Sequence, residues 1–86
     1  MRIRFTTHAL QKFSVLERHG VFIRREQVVR AIETPDYVDH SRLPLLIAQA
    51  SLDRRRVLRV VYKIKRETFV VVTFYPGKKS QYEKDN

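Results

Sequence analysis

Apolar residues recur at helical spacing through the first third of the chain and at strand spacing after it. Ala9, Phe13 and Leu16 fall at i, i+4 and i+7, and Leu10 widens the stripe, which predicts a helix from about His8 to His19. Thr6 or Thr7 is placed to cap it, because a hydroxyl accepts from an unpaired backbone N–H of the first turn. Gly20 suits the end of that helix, where a left-handed residue is needed. Val28, Val29 and Ile32 define a second helix over Arg25 to Glu33, with Glu26 early enough to meet the positive end of the helix dipole. Thr34-Pro35 ends it, since the residue before a proline avoids helical geometry. The two form a helical hairpin. Ahead of them, Arg2 to Phe5 reads as a short strand with Ile3 and Phe5 on one face.

The remainder reads as antiparallel sheet. Strands are expected over Tyr37 to His40, Leu45 to Leu52, Val57 to Lys63 and Thr68 to Tyr75, with Leu43-Pro44 as a break and Asp53-Arg54-Arg55 as a polar turn. The run VLRVVYKIKRETFVVVTFY is dense in β-branched and aromatic residues, a hairpin signal without the usual turn residues. Its last strand is apolar on both sides, with Val70, Val72 and Phe74 on one face and Phe69, Val71 and Tyr75 on the other. That predicts a strand covered on both faces, or one whose second face a partner buries. Pro76-Gly77 is expected to stop the sheet, leaving a fraying polar tail. The expectation is an α+β fold: two N-terminal helices packed on a twisted antiparallel sheet of three to four strands, with one domain over 1–77 and a polar tail over 78–86.

Composition narrows the chemistry. Eighty-six residues hold one core. The absence of cysteine excludes a disulfide framework and any thiolate zinc site. No signal peptide or spanning run is visible, so a cytoplasmic protein off the membrane is expected. Eighteen Lys and Arg against nine Asp and Glu leave a charge of +9, which points to an anionic partner, nucleic acid foremost. Between Asp53 and Lys79 nine basic residues face two acids, and Lys63, Lys78 and Lys79 are among them. Cations on a rigid sheet can hold phosphates in register, and Tyr62, Phe74 and Tyr75 lie among them as candidate stacking surfaces. The competing explanation is that Arg54 to Arg56 and Lys65-Arg66 are solvated hairpin tips.

Arg59 stands apart because it sits inside an apolar run, where an unpaired charge is costly. It must reach solvent, face a cleft, or pair with an acid such as Glu17, Asp36 or Asp39. His8, Lys12, Val15 and His19 share one helical azimuth, but His8 and His19 are about three turns apart, too far to share a metal. No phosphate loop, metal-spaced carboxylate cluster or Ser or Cys nucleophile pattern is present, so no cofactor and no metal are expected. Metal-free ribonuclease chemistry needs a base for the 2′-hydroxyl, a cation for the phosphate and an acid for the leaving group. Arg, Lys, His and Tyr can supply these.

Taken in order, FTTHALQKF, ERHGVFIRREQVVRAIETPD and LRVVYKIKRETFVVVTFYP resemble small domains of the RelE/ParE toxin superfamily, close to the BrnT-like toxins, over about residues 3 to 76. The resemblance implies two helices followed by a twisted antiparallel sheet. It also implies metal-independent cleavage of RNA, often on the ribosome, and neutralisation by an antitoxin protein. A homodimer is left open. Carried over by motif, the candidate residues are His8, Arg18, Arg59, Tyr62 and Tyr75. In that reading Arg59 binds the scissile phosphate with Lys12 or Lys63 assisting, and His8 or Tyr75 serves as acid or base. Arg24 stands where such sequences usually carry a capping Ser or Thr. The alternatives are a non-catalytic RNA- or ribosome-binding module and an inactive relative that only binds a partner. Convergence of Arg59 and His8 in one cleft would favour catalysis; placement on opposite faces would favour binding.

Overall fold

The computed structural model describes residues 2–83. Its elements run β1 (Arg2–Phe5), α1 (Thr7–Arg18), α2 (Arg25–Glu33), β2 (Tyr37–Asp39), β3 (Leu46–Ser51), β4 (Arg56–Lys65), β5 (Thr68–Lys78) and α3 (Lys79–Tyr82). The class is α+β, with five strands in the order β1-β5-β4-β3-β2. The sheet is mixed: β1 runs parallel to β5, and the other pairs are antiparallel. An antiparallel sheet of three to four strands is therefore corrected to a mixed sheet of five. The parallel pair forms because α1 and α2 carry the chain away from β1, and only residues 68–71, far along the sequence, come back to meet it.

Local signals place α1 and α2. The Thr6 hydroxyl accepts from the Ala9 N–H at 3.1 Å and donates to the Val72 carbonyl at 3.2 Å, so one side chain caps α1 and ties it to β5. Gly20 takes φ 80° after α1. At α2, Gln27 Oε1 accepts from the Arg24 N–H at 2.7 Å, which supplies the reciprocal half of a capping box although Arg24 has no side-chain acceptor. Both helices pack on one face of the sheet. Ala9, Val28, Ala31 and Ile32 meet Leu58, Val60, Tyr62, Val71 and Phe74 there. The Phe13 ring lies 6.0 Å from Phe5 and 4.5 Å from Phe74, linking α1 to β1 and β5.

Two features of β5 depart from simple alternation. The register shifts between Val61 and Tyr62: Val61 pairs with Thr73, and Tyr62 pairs with Val71. Val72 is the extra residue of a β-bulge, which reverses the facing of everything beyond it. Phe69, Val71 and Phe74 therefore share the helix-covered face, correcting the assignment of Phe74 to the side opposite Phe69 and Val71. The strand also continues through Pro76 and Gly77 to Lys78 instead of stopping. β1 pairs only with residues 68–71, so the later part of β5 has a free edge where a proline without an N–H breaks no ladder bond on that side. The segment from Lys78 does not simply fray, since its first turn is α3; residues 84–86 of the expected tail lie outside the described residues.

Candidate functional site

Tyr37, Gln49, Arg59 and Tyr75 form a row across four strands on the face that α1 and α2 do not cover, because each is the registered partner of the next. Arg59 alternates with Leu58 and Val60, which point into the helix-covered core, so its own side chain points the other way. It is 4% exposed, and Gln49 beside it is 2% exposed. Each of the three guanidinium nitrogens donates one hydrogen bond. Nε donates to Tyr75 Oη at 3.1 Å, one terminal nitrogen donates to Asp39 Oδ2 at 2.9 Å, and the other donates to Gln49 Oε1. Of the three acids that could have paired with it, Asp39 is the one that does.

The electrostatics follow from these contacts. The side chain and N–H of Ser41, and then Arg59, hold the Asp39 carboxyl at about 2, below the ordinary 3.8. The Ser41 N–H lies 2.8 Å from Asp39 Oδ1. Burial works against the Arg59 charge, but the hydrogen bonds to Tyr75 and Asp39 outweigh it and raise the guanidinium pKa. The pair is thus ionised on both sides and internally neutral.

α3 covers this node. The Arg59 guanidinium carbon lies over the Tyr82 ring, 4.2 Å from the ring centroid, a cation–π contact. Gly77 leaves the space for it, since a Cβ there would overlap the Tyr82 ring. Clefts open on either side. One is lined by Asp36, Tyr37, Gln81, Tyr82 and Glu83 beside Asp39 and Gln49, and the other by Ser41, Arg42, Leu45 and Tyr75. No histidine lines either cleft.

A second feature lies at the end of the same strands. Asp53, Arg54, Arg55, Arg56, Lys78, Lys79 and Ser80 surround an open groove. Its shape comes from the β3–β4 turn. Asp53 Oδ1 accepts from the N–H groups of Arg55 and Arg56 at 2.9 and 2.8 Å, while its Oδ2 holds the Arg56 side chain at 2.8 Å. These bonds, the Arg55 N–H first, lower the Asp53 pKa. The Lys79 N–H donates to the Arg55 carbonyl at 2.8 Å and closes α3 onto the turn. Arg54, Arg55, Lys78 and Lys79 form no ion pair among the described residues.

The residues singled out in the sequence separate into three places. Arg59 and Tyr75 are hydrogen-bonded partners on the uncovered face, and Lys78 and Lys79 line the groove. His8, exposed in the first turn of α1, and Lys12 and Arg18 farther along it belong to the helix layer on the other side of the sheet. His8 and Arg59 therefore do not converge. Tyr62 is 6% exposed in the helix-covered core, 5.3 Å from the Phe69 ring, and burial raises its hydroxyl pKa. It cannot present a stacking face, and its reading as an RNA contact is corrected to a core role. Lys63 is exposed four residues along β4 from Arg59, about 13 Å away at strand rise. Gln49, Gly77 and Tyr82 were missed. A lone glutamine in the apolar run LLIAQA was the one local signal for Gln49; nothing local marks Tyr82. Among the described residues no three His, Cys, Asp or Glu side chains converge on a metal position. No described helix is long and apolar enough to cross a membrane.

Residues 5–76 match the family described as Domain of unknown function (DUF4258). The chain belongs to this family. The match takes in the whole Arg59 row and Asp39 but ends before Lys78, Lys79 and Tyr82. No curated protein and no solved structure matches the chain.

Proposed function

We propose that this DUF4258 domain is an RNA-binding module whose phosphate-contacting surface is the groove between the β3–β4 turn and the start of α3. The observation that carries this reading is the gathering of Arg54, Arg55, Lys78 and Lys79, none in an ion pair among the described residues, around one groove on a rigid sheet end. Cations held by strands and a hydrogen-bonded turn keep a fixed spacing, which suits a phosphate chain better than a merely soluble surface does. The opposite placement of His8 and Arg59 favours binding over cleavage. Arg59 itself is neutralised by Asp39, which makes it a poor ligand for a scissile phosphate. The likeness to RelE/ParE toxins adds an antitoxin as the expected protein partner of such a module.

A salt titration of fluorescence anisotropy with labelled single-stranded RNA tests this. Each phosphate contact on a single strand contributes a slope of about −0.7 in log K against log salt, so four to five contacts weaken binding roughly fifty- to a hundredfold between 50 and 200 mM salt. Replacing Arg54, Arg55 and Lys78 together with alanine reduces the slope by about 2, while replacing Lys12 and Arg18 on the helix layer leaves it unchanged. Equal effects from both sets would mean that only overall charge matters and would sink the groove. RNA recovered intact after incubation supports the module. Fragments ending in a 2′,3′-cyclic phosphate, lost in Tyr75→Phe, would replace it with a metal-free ribonuclease built on Arg59 and Tyr75.

A further inference from the structure

The Arg59 guanidinium is held by its edges and offers its flat face, and Tyr82 occupies that face. We propose that Tyr82 fills, from within its own chain, a stacking site for an unpaired base of single-stranded RNA, and that RNA binding exchanges the tyrosine ring for the base. This rests on the RNA-binding reading above and extends it from the phosphates to the bases.

Four observations point to the exchange. Asp39, Gln49 and Tyr75 take donors around the rim of the guanidinium, so its plane is fixed before any ligand arrives. A guanidinium plane stacks on a nucleobase as readily as on a tyrosine ring. The ring sits on a short element: α3 is a single turn of four residues with no buried residue and no side-chain cap. It also lies beyond the part of the chain matched by the family, whereas the platform lies inside it. Finally, charge is divided between the two openings. The cleft around Tyr82 carries Asp36 and Glu83 beside the mutually neutralised Arg59–Asp39 pair, a balance that repels a phosphate but admits an uncharged base. The neighbouring groove carries the cations. α3 borders both openings, with Lys79 and Ser80 on the groove and Gln81 and Tyr82 on the cleft, so a backbone lying in the groove can turn a base onto Arg59.

The test compares binding of two labelled oligomers of about ten nucleotides, one of ordinary RNA and one with abasic residues throughout, to the full-length wild type, Tyr82→Ala and Gly77→Ala. Tyr82→Ala removes the competing ring. Gly77→Ala displaces it with a Cβ and replaces none of the Arg59 hydrogen-bond partners. Both variants should bind ordinary RNA about tenfold tighter than wild type, within the roughly five- to hundredfold range of one base stack, and should gain nothing on the abasic strand. The salt slope should stay unchanged, because no phosphate contact is altered. Arg59→Lys, added to Tyr82→Ala, keeps the charge without the plane and should cancel the gain. If both variants bind ordinary RNA no tighter than wild type, or gain equally on the abasic strand, the base site is wrong while salt-dependent binding leaves the groove standing. If no protein binds either strand at low salt, the groove and the base site fail together.

Discussion

On the helix-covered face of the sheet, the rings of Phe5, Phe13 and Phe74 pack in series at tilted angles, and Leu58, Val60 and Val71 fill the space beneath α1 and α2. On the other face, the centre is a charged side chain at 4% exposure, held by Asp39, Gln49 and Tyr75 and roofed by Tyr82. The first arrangement is non-directional. It rewards volume and burial and tolerates repacking. The second is directional, and removing one partner strands the others out of water. Burial sets the shape of the domain, while the hydrogen-bonded face fixes one chemical group in one orientation, which is the property a recognition surface needs.

The largest expected effect lies in the apolar layer. Phe74→Ala should lower stability by about 3–5 kcal/mol through the cavity it leaves. The loss, read by thermal melting, should be nearly the same at pH 4 and pH 7. Arg59→Met should cost about 3 kcal/mol at pH 7, because Asp39 and Gln49 lose their partner while the methionine fits the space. In a domain this small that is roughly a 12–24 °C drop in Tm. A change of only a degree or two would mean that the second face carries no structural weight.

Acid should separate the two faces further. The folded-state pKa of Asp39 is about 2 and its unfolded value 3.8, so the native state binds fewer protons. The contribution of Asp39 is complete above pH 4 and is lost as pH falls towards 2. Asp39→Asn should flatten that part of the stability curve, and Phe74→Ala should leave its slope intact; a parallel curve for Asp39→Asn would refute the assignment. The smallest effect belongs to the helix layer. Arg24→Ser places an acceptor at the start of α2, where Arg24 has none, and should add about 1 kcal/mol, readable as a rise of several degrees in Tm.

Much of the helix layer was legible because its signals are local. α2 spans Arg25–Glu33 as its spacing, Glu26 and Pro35 indicate, and α1 differs from its expected range by one residue at each end. Three of the strands were visible as β-branched runs, but β1 against β5 was not visible as a parallel pair. β5 is apolar on both sides, and Val70 is buried on the face that α1 and α2 leave uncovered, but the bulge at Val72 changes which residue belongs to which face. A one-residue slip reverses facing, and nothing in the run FVVVTFY marks where it occurs.

For the site, the sequence by itself singled out Arg59 as a charge that an apolar strand cannot leave unpaired, and it gathered the basic residues between Asp53 and Lys79. Those conclusions need only residue types and their neighbours along the chain. Which acid meets Arg59, that Gln49 and Tyr75 flank it, that His8 lies across the sheet, and that Tyr82 closes over the guanidinium were decided by tertiary structure. Each depends on register between strands or on the return of a distant segment, and register is set by packing over the whole sheet.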